Sequence, residues 1–139
     1  MAFTRKYNPA GVLVVCALLL AVVAAIAAVI GFVQIQLSRY QQEVYSTTLK
    51  LNRYSNSLRS MGNDAFRADP DGIYRLLQAK LAANQNEAVR PDWDKDAWGS
   101  RIVIMKTNPE HIEIYSCGPN GIDEKGKGDD IARSIAVFD

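Results

Sequence analysis

The run GVLVVCALLLAVVAAIAAVIGFV, residues 11–33, decides how the rest of the chain is organised. It contains no charged and no strongly polar side chain. As an α-helix it would be roughly 34 Å long, which is enough to cross the hydrocarbon core of a bilayer. The sequence therefore predicts one transmembrane helix, preceded by a short N-terminal tail, residues 1–10.

A secretory signal peptide is the alternative interpretation of this run. Arg5 and Lys6 form a basic segment in front of it, and its alanines resemble a cleavage zone. The apolar region of a signal peptide is, however, about 7 to 15 residues long, and this run is longer. Since the chain also begins with Met1, we expect an uncleaved, single-pass anchor.

The basic residues around the span predict its orientation. Arg5 and Lys6 precede it, whereas Arg39 is the one basic residue between the span and Lys50. Because positively charged flanks stay in the cytoplasm, we expect a cytoplasmic N-terminus and an extracytoplasmic C-terminal domain.

Residues 34–61 continue the span without a proline or glycine, so we expect the helix to extend beyond the membrane surface. One apolar stripe at helical spacing follows this continuation. Its members are Val33, Leu37, Tyr40, Val44, Leu51, Tyr54, Leu58 and Met61. Thr47 and Thr48 interrupt the stripe, which argues against a dedicated coiled coil. We expect the distal part, Leu51 to Met61, to pack on the folded domain and the proximal part to contact other membrane-protein subunits.

Residues 62–139 have the mixed pattern of a small head domain. Gly62 to Gly72 predicts a connection, which ends with Asp69 as a helix N-cap and Pro70 as the first helical residue. A short second helix, Asp71 to about Gln85, is predicted next. Its apolar positions at helical spacing are Ile73, Leu76, Leu77 and Leu81.

The period of apolar residues changes to two after Arg101. RIVIMKT (101–107) and HIEIYS (111–116) flank the turn signal Asn108-Pro109-Glu110, so they predict a β-hairpin. IARSIAVF (131–138) predicts a third strand. The expected fold class is therefore α+β, with a long N-terminal helix, a short second helix and a small antiparallel sheet of about three strands.

Composition excludes several classes of function. The 139 residues carry a net charge of +1, and no basic patch interleaved with aromatic residues suggests nucleic acid as a partner.

Cys16 and Cys117 are too far apart for a disulfide, and Cys117 is expected to be a small buried apolar residue. No third group orients a His111–Cys117 nucleophile pair. We expect no catalytic site and no small-molecule substrate.

The segment SCGPNGIDEKGKGDDI, residues 116–131, combines glycines with many oxygen donors. Its side-chain oxygens come from Asn120, Asp123, Glu124, Asp129 and Asp130. Calcium takes six to eight oxygen ligands, and glycines let a backbone curl around the ion. The order of an EF-hand is absent, so the residues alone leave a calcium loop and a solvated turn equally open.

The head domain resembles the major pseudopilin of type II secretion systems. The resemblance rests on Asp96-Ala97-Trp98-Gly99, on a strand ending Ile114-Tyr115-Ser116, and on Cys117-Gly118-Pro119-Asn120-Gly121 running to Gly128-Asp129-Asp130-Ile131. It implies a pilin-like fold in a bacterial inner membrane, with the head in the periplasm. It also implies a structural subunit that acts by assembly, with self-assembly possible, and not by catalysis.

The resemblance further implies that the loop holds a structural calcium ion. Matched by position, Asn120, Asp129 and Asp130 supply side-chain oxygens, Cys117 supplies a backbone carbonyl, and Asp123 is a possible further ligand. The family usually has an aspartate where Asn120 stands, which removes one negative charge from the site.

The N-terminus departs from the family pattern. Prepilins carry a cleavage site and a glutamate at the fifth mature position, but no acidic residue precedes Val33; cleavage after Gly11 would put Cys16 there. Two hypotheses follow: a subunit of a pseudopilin-like filament, or an uncleaved accessory subunit of another membrane complex. An anchored hydrolase using Cys117 is a third and weaker hypothesis.

Overall fold

The computed structural model of the chain describes residues 9–84 and 91–136. Three helices precede three strands, so the fold class is α+β as predicted. The elements are α1 (Pro9–Met61), α2 (Asn63–Arg67), α3 (Pro70–Asn84), β1 (Val103–Asn108), β2 (His111–Ser116) and β3 (Ile131–Ala136). The basic residues of the predicted tail, the end of the second helix at Gln85 and the last residues of the third strand lie outside the described residues.

The backbone divides into two compact units, Met1–Tyr40 and Gln41–Asp139. In the first unit α1 exposes its large apolar side chains on every side, with exposed fractions of 52% to 71% between Leu13 and Leu37. A helix that is apolar all round is typical of a membrane span. By length and composition, α1 is the one helix of the described residues that could cross a membrane.

In the second unit, the end of α1 packs with α3 and the sheet around a single hydrophobic core. Leu51, Tyr54 and Leu58 of α1 are buried there, which confirms the prediction for the distal part of the stripe. Fully burying each such side chain contributes about 1.5 to 3 kcal/mol. The remaining core consists of Ala65, Phe66, Ile73, Leu77, Leu81, Ile102, Ile104, Ile112, Ile114 and Ile135.

The sheet is antiparallel in the order β1-β2-β3, which confirms the predicted hairpin and third strand. Ile104 lies opposite Ile114, and Ile112 lies opposite Ile135, so the alternating isoleucines share the buried face. The hairpin turn is closed by Asn108 Oδ1, which accepts a hydrogen bond from the Glu110 N–H. β1 begins at Val103, two residues after the predicted start.

Two expectations about the helices are corrected. The predicted connection Gly62 to Gly72 contains the short helix α2, whose Ala65 and Phe66 are buried in the core. Thr47, expected to interrupt the apolar stripe, is itself buried with 1% exposure, and its Oγ1 accepts a hydrogen bond from the Ala97 N–H. The predicted N-cap is confirmed, since Asp69 Oδ1 accepts a hydrogen bond from the Gly72 N–H.

Candidate cation-binding loop

The loop between β2 and β3 is held closed at its base by the sheet. Ser116, the last residue of β2, pairs with Ile131, the first residue of β3. The two ends of the intervening segment therefore lie side by side, as in an Ω-loop. This closure brings residues close together that are distant along the loop.

Three carboxylates of this loop converge. One oxygen from each of Glu124, Asp129 and Asp130 lies within 4.8 Å of the other two. Asp130 Oδ2 accepts hydrogen bonds from the Glu124 N–H at 3.1 Å and the Gly126 N–H at 2.8 Å. Asp130 Oδ1 is buried and has no hydrogen-bond partner among the described residues. A buried acceptor without a partner is costly, so this atom is suited to a cation.

Electrostatic repulsion among these carboxylates is not offset by a salt bridge within the loop in the part of the chain that the structure describes. Lys125 and Lys127 are exposed, and Lys125 takes a left-handed backbone conformation with φ of 58°. Like charges at this separation disfavour one another unless a proton or a cation lies between them. The donor set, hard oxygen atoms from one short loop, fits Ca²⁺.

Two glycines allow the backbone and carboxylates to approach this closely. A Cβ atom on Gly118 would lie 2.5 Å from the carbonyl oxygen of Asp129, and one on Gly128 would lie 1.6 Å from Oε2 of Glu124. Both glycines have positive φ, near 60°. Glu124 Oε2 reaches across Gly128 and accepts a hydrogen bond from the Asp129 N–H at 3.1 Å. A side chain at Gly118 would therefore force the Asp129 backbone to move, whereas one at Gly128 would displace the Glu124 carboxylate.

The side chains expected as ligands from the sequence divide into two groups. Asp129 and Asp130 belong to the carboxylate cluster. Asn120 contacts the cluster through Nδ2, which donates to Asp129 Oδ1, while its Oδ1 accepts from the Ile122 N–H. Asp123 Oδ1 accepts from the Tyr115 hydroxyl at 3.0 Å and from the Lys125 N–H at 2.9 Å, so it is engaged elsewhere. Cys117 is buried at the start of the loop, and its role as a carbonyl ligand stays a prediction.

Glu124 is the member of the cluster that the expected ligand set omitted. The sequence shows its oxygen in the loop, but residue type alone does not rank it above Asp123. The available signal was the pair Gly126 and Gly128, because glycines beyond an acidic residue let its side chain fold back over the chain.

A buried hydrogen-bond network connects this loop to the segment 92–100. Asp96 Oδ1 accepts from the Trp98 N–H at 3.0 Å and the Ser100 N–H at 2.8 Å, while its Oδ2 accepts from the Ser116 hydroxyl at 2.6 Å. Ser116 Oγ in turn accepts from the Gly118 N–H at 3.1 Å. Asp96 thus orders both segments at once.

The helix α1 holds the other side of segment 92–100. Lys50 Nζ donates to the backbone carbonyls of Asp92 and Lys95, and the Tyr54 hydroxyl donates to the carbonyl of Trp93. The Trp93 ring packs against the rings of Tyr54 and Tyr74, as expected for a tryptophan that anchors a loop. The start of the candidate loop is therefore linked to α1 through segment 92–100.

The structure does not bring His111 and Cys117 together. His111 begins β2 and Cys117 directly follows its last residue, so the two lie roughly 20 Å apart at about 3.3 Å per strand residue. Burial raises the pKa of the Cys117 thiol, and the nearby carboxylate of Asp130 acts in the same direction. A protonated thiol is a poor nucleophile. The separation of the two residues and the raised pKa of the thiol both argue against a hydrolase that uses this pair.

Comparison with known proteins adds no assignment. No family model, no curated protein and no solved structure matches this chain.

Proposed function

We propose that the chain is a membrane-anchored, non-catalytic assembly subunit of the pseudopilin type, with a head domain stabilised by a calcium ion. The observation that carries the proposal is Oδ1 of Asp130, which is buried and has no hydrogen-bond partner in the described part of the chain. It belongs to a carboxylate that lies beside those of Glu124 and Asp129. A cation there would satisfy this oxygen and offset the repulsion among the carboxylates.

Glu124, Asp129 and Asp130 would hold the ion by their side chains, with the Cys117 carbonyl and Asn120 as the further ligands that the family resemblance implies. Calcium is favoured over magnesium because magnesium keeps most of its water ligands and uses few protein carboxylates. Leaving a buried acceptor unpartnered costs about 1 to 3 kcal/mol, so an ion that satisfies Asp130 would measurably stabilise the head.

The first part of α1 supports membrane anchoring. Its exposed apolar surface would be costly in water and is suited to lipid. Small residues in this segment permit close contact with neighbouring transmembrane helices. These are Ala24, Ala25, Ala27, Ala28 and Gly31. In this proposal the span lies in a bacterial inner membrane, the head is periplasmic, and the chain acts by binding other subunits or copies of itself.

An accessory subunit of another membrane complex is the second candidate. It is favoured by the absence of any acidic residue between Gly11 and Val33, since filament growth in the resembled family uses a glutamate in this region. Mass spectrometry of the natively isolated protein distinguishes the two candidates. An unprocessed chain that co-purifies with different membrane subunits supports the second, whereas a shortened chain in homopolymers supports the first.

The calcium site is tested by thermal unfolding of the full chain in detergent micelles, with Ca²⁺ and with a chelator. We expect Ca²⁺ to raise the unfolding temperature of the head, and the double substitution Asp129→Ala and Asp130→Ala to abolish that increase. Glu110→Ala, an exposed acidic residue in the β1–β2 turn, is the matched control and should retain it. An equal calcium response in wild type and double variant would remove the proposal.

A further inference from the structure

The dipeptide Asn120-Gly121 gives this loop a covalent reactivity that is separate from the ligand role proposed for Asn120. It is the one asparagine in the sequence that is followed by glycine, and both residues are exposed. We propose that Asn120 is a site of spontaneous deamidation, which converts its amide into a carboxylate next to Asp129.

The chemistry needs only water as a co-reactant. The backbone nitrogen of Gly121 attacks Cγ of Asn120, the N–Cγ bond forms, and the Cγ–Nδ2 bond breaks. Nδ2 leaves as ammonia and carries away the proton that the Gly121 nitrogen loses. Water then opens the five-membered succinimide ring at either carbonyl, which yields aspartate or isoaspartate. Because glycine has no side chain, nothing obstructs the approach of its nitrogen.

One local hydrogen bond favours this attack, and two others must open for it. Asn120 Oδ1 accepts the Ile122 N–H at 2.6 Å, which folds the side chain back over the Gly121 peptide as in an Asx-turn. The same bond withdraws electron density from Cγ and makes it more electrophilic. The bond that the leaving nitrogen, Nδ2, donates to Asp129 Oδ1 opposes the attack and breaks when ammonia leaves. The bond from the Gly121 N–H to the Gly118 carbonyl must open first, and at 3.3 Å it is long.

Asn52, Asn56, Asn63 and Asn108 lack this arrangement. Asn52 and Asn56 lie inside α1 and Asn63 begins α2, so helical backbone restrains the chain after each of them. Asn108 precedes a proline, which has no backbone N–H to form the succinimide. These residues provide internal references within the same molecule.

Deamidation would change the charge of the carboxylate cluster. The amide donor to Asp129 Oδ1 is replaced by a carboxylate that repels it, so the loop then depends more strongly on a cation. This consequence rests on the proposed calcium function. The deamidation itself does not.

The test is to age the full chain in detergent micelles at mildly alkaline pH, and to map its peptides by mass spectrometry after digestion at acidic pH. We expect conversion at Asn120 several-fold faster than at Asn52, Asn56 and Asn63, and no conversion at that position in Asn120→Gln. Conversion at Asn120 as slow as at the helical asparagines, in a sample whose denatured chain converts readily, would overturn the proposal.

A second measurement separates this inference from the calcium function. Asn120→Asp, which has the composition of the aspartate product, should unfold at a lower temperature than wild type in chelator. Its unfolding temperature should rise more than that of wild type when Ca²⁺ is added. An equal rise in both proteins would remove the proposed consequence and leave the modification in place. If neither protein responds to Ca²⁺ while Asn120 still converts in the wild type, the calcium function fails and the modification stands.

Discussion

Two buried polar side chains order the head domain although neither belongs to the hydrophobic core. Thr47 of α1 accepts the Ala97 N–H, and Asp96 accepts two backbone N–H groups and the Ser116 hydroxyl. Buried polar atoms cost free energy unless they are paired, so these residues make the position of segment 92–100 specific.

The substitution Thr47→Val tests this at a single atom. Valine keeps the shape of threonine but removes the acceptor, which leaves the Ala97 N–H without its partner. We expect the free energy of unfolding to fall by about 1 to 3 kcal/mol. The measurement is denaturant unfolding followed by near-UV circular dichroism. Thr48→Val, at the next position of the same helix, is the control, and equal stability of the two variants would contradict the prediction.

Tyr54 should make stability depend on alkaline pH. Its hydroxyl donates to the Trp93 carbonyl, and burial raises its pKa above the ordinary value of about 10. Because the folded state favours the neutral phenol, this stabilisation is complete below pH 10 and is lost as pH rises from there through the raised pKa.

The check is to measure the free energy of unfolding against pH for wild type and Tyr54→Phe. The phenylalanine variant should be less stable at neutral pH and should lose less stability above pH 10. Tyr45→Phe, at an exposed position of the same helix, should follow the wild type. Parallel curves for wild type and Tyr54→Phe would refute the assignment.

At the scale of elements, the β2–β3 connection is stabilised by its closure and by its glycines. The pairing of Ser116 with Ile131 fixes the ends, and Gly118 and Gly128 give room for Asp129 and for the Glu124 side chain. The loop therefore behaves as a unit. Substituting one of its glycines should disturb the carboxylate cluster even though no carboxylate is substituted.

Gly128→Ala should displace the Glu124 carboxylate, because the added Cβ would lie 1.6 Å from Oε2. We expect the calcium-dependent rise in unfolding temperature to shrink. Gly99→Ala is a matched control, since its φ is also positive at 87° but its Cβ would meet no atom within 4 Å. Both variants should lose stability from backbone strain, whereas only Gly128→Ala should lose the calcium response. An equal calcium response in both would refute the role of Glu124.

At the scale of the whole molecule, the two units differ in how far their large apolar side chains are exposed. The first unit exposes them from Leu13 to Leu37, whereas the second unit, Gln41–Asp139, encloses most of its described large apolar residues in a core. Each unit is therefore suited to a different solvent, the first to lipid and the second to water.

Charge inside the first unit should impair membrane integration. An arginine at the centre of a transmembrane helix costs about 2.5 to 3.5 kcal/mol on insertion scales. Val23→Arg should therefore increase the fraction of the protein that alkaline carbonate extracts from membranes. Leu49→Arg, which also replaces an exposed apolar residue but lies in the second unit, should stay in the membrane pellet. Equal extraction of both variants would argue against a span at residues 11–33.

The sequence by itself determined those features that depend on local periodicity. The apolar run 11–33, the buried positions from Leu51 to Leu58, and the strands β1 to β3 all follow from spacing that any short segment displays without its neighbours. The cap at Asp69 is local in the same sense, because a side chain there reaches an N–H three residues later. These features were predictable because their physical causes lie within a few residues of one another.

The tertiary structure alone decided which distant groups meet. Thr47 is buried because segment 92–100 packs over it, and α2 forms where Ala65 and Phe66 can enter the core. Glu124 joins Asp129 and Asp130 because β2 and β3 close the loop and its glycines let the chain fold back. Such contacts depend on residues that the packing of whole elements brings together. The separation of two residues along the sequence does not reveal how far apart they lie in the fold.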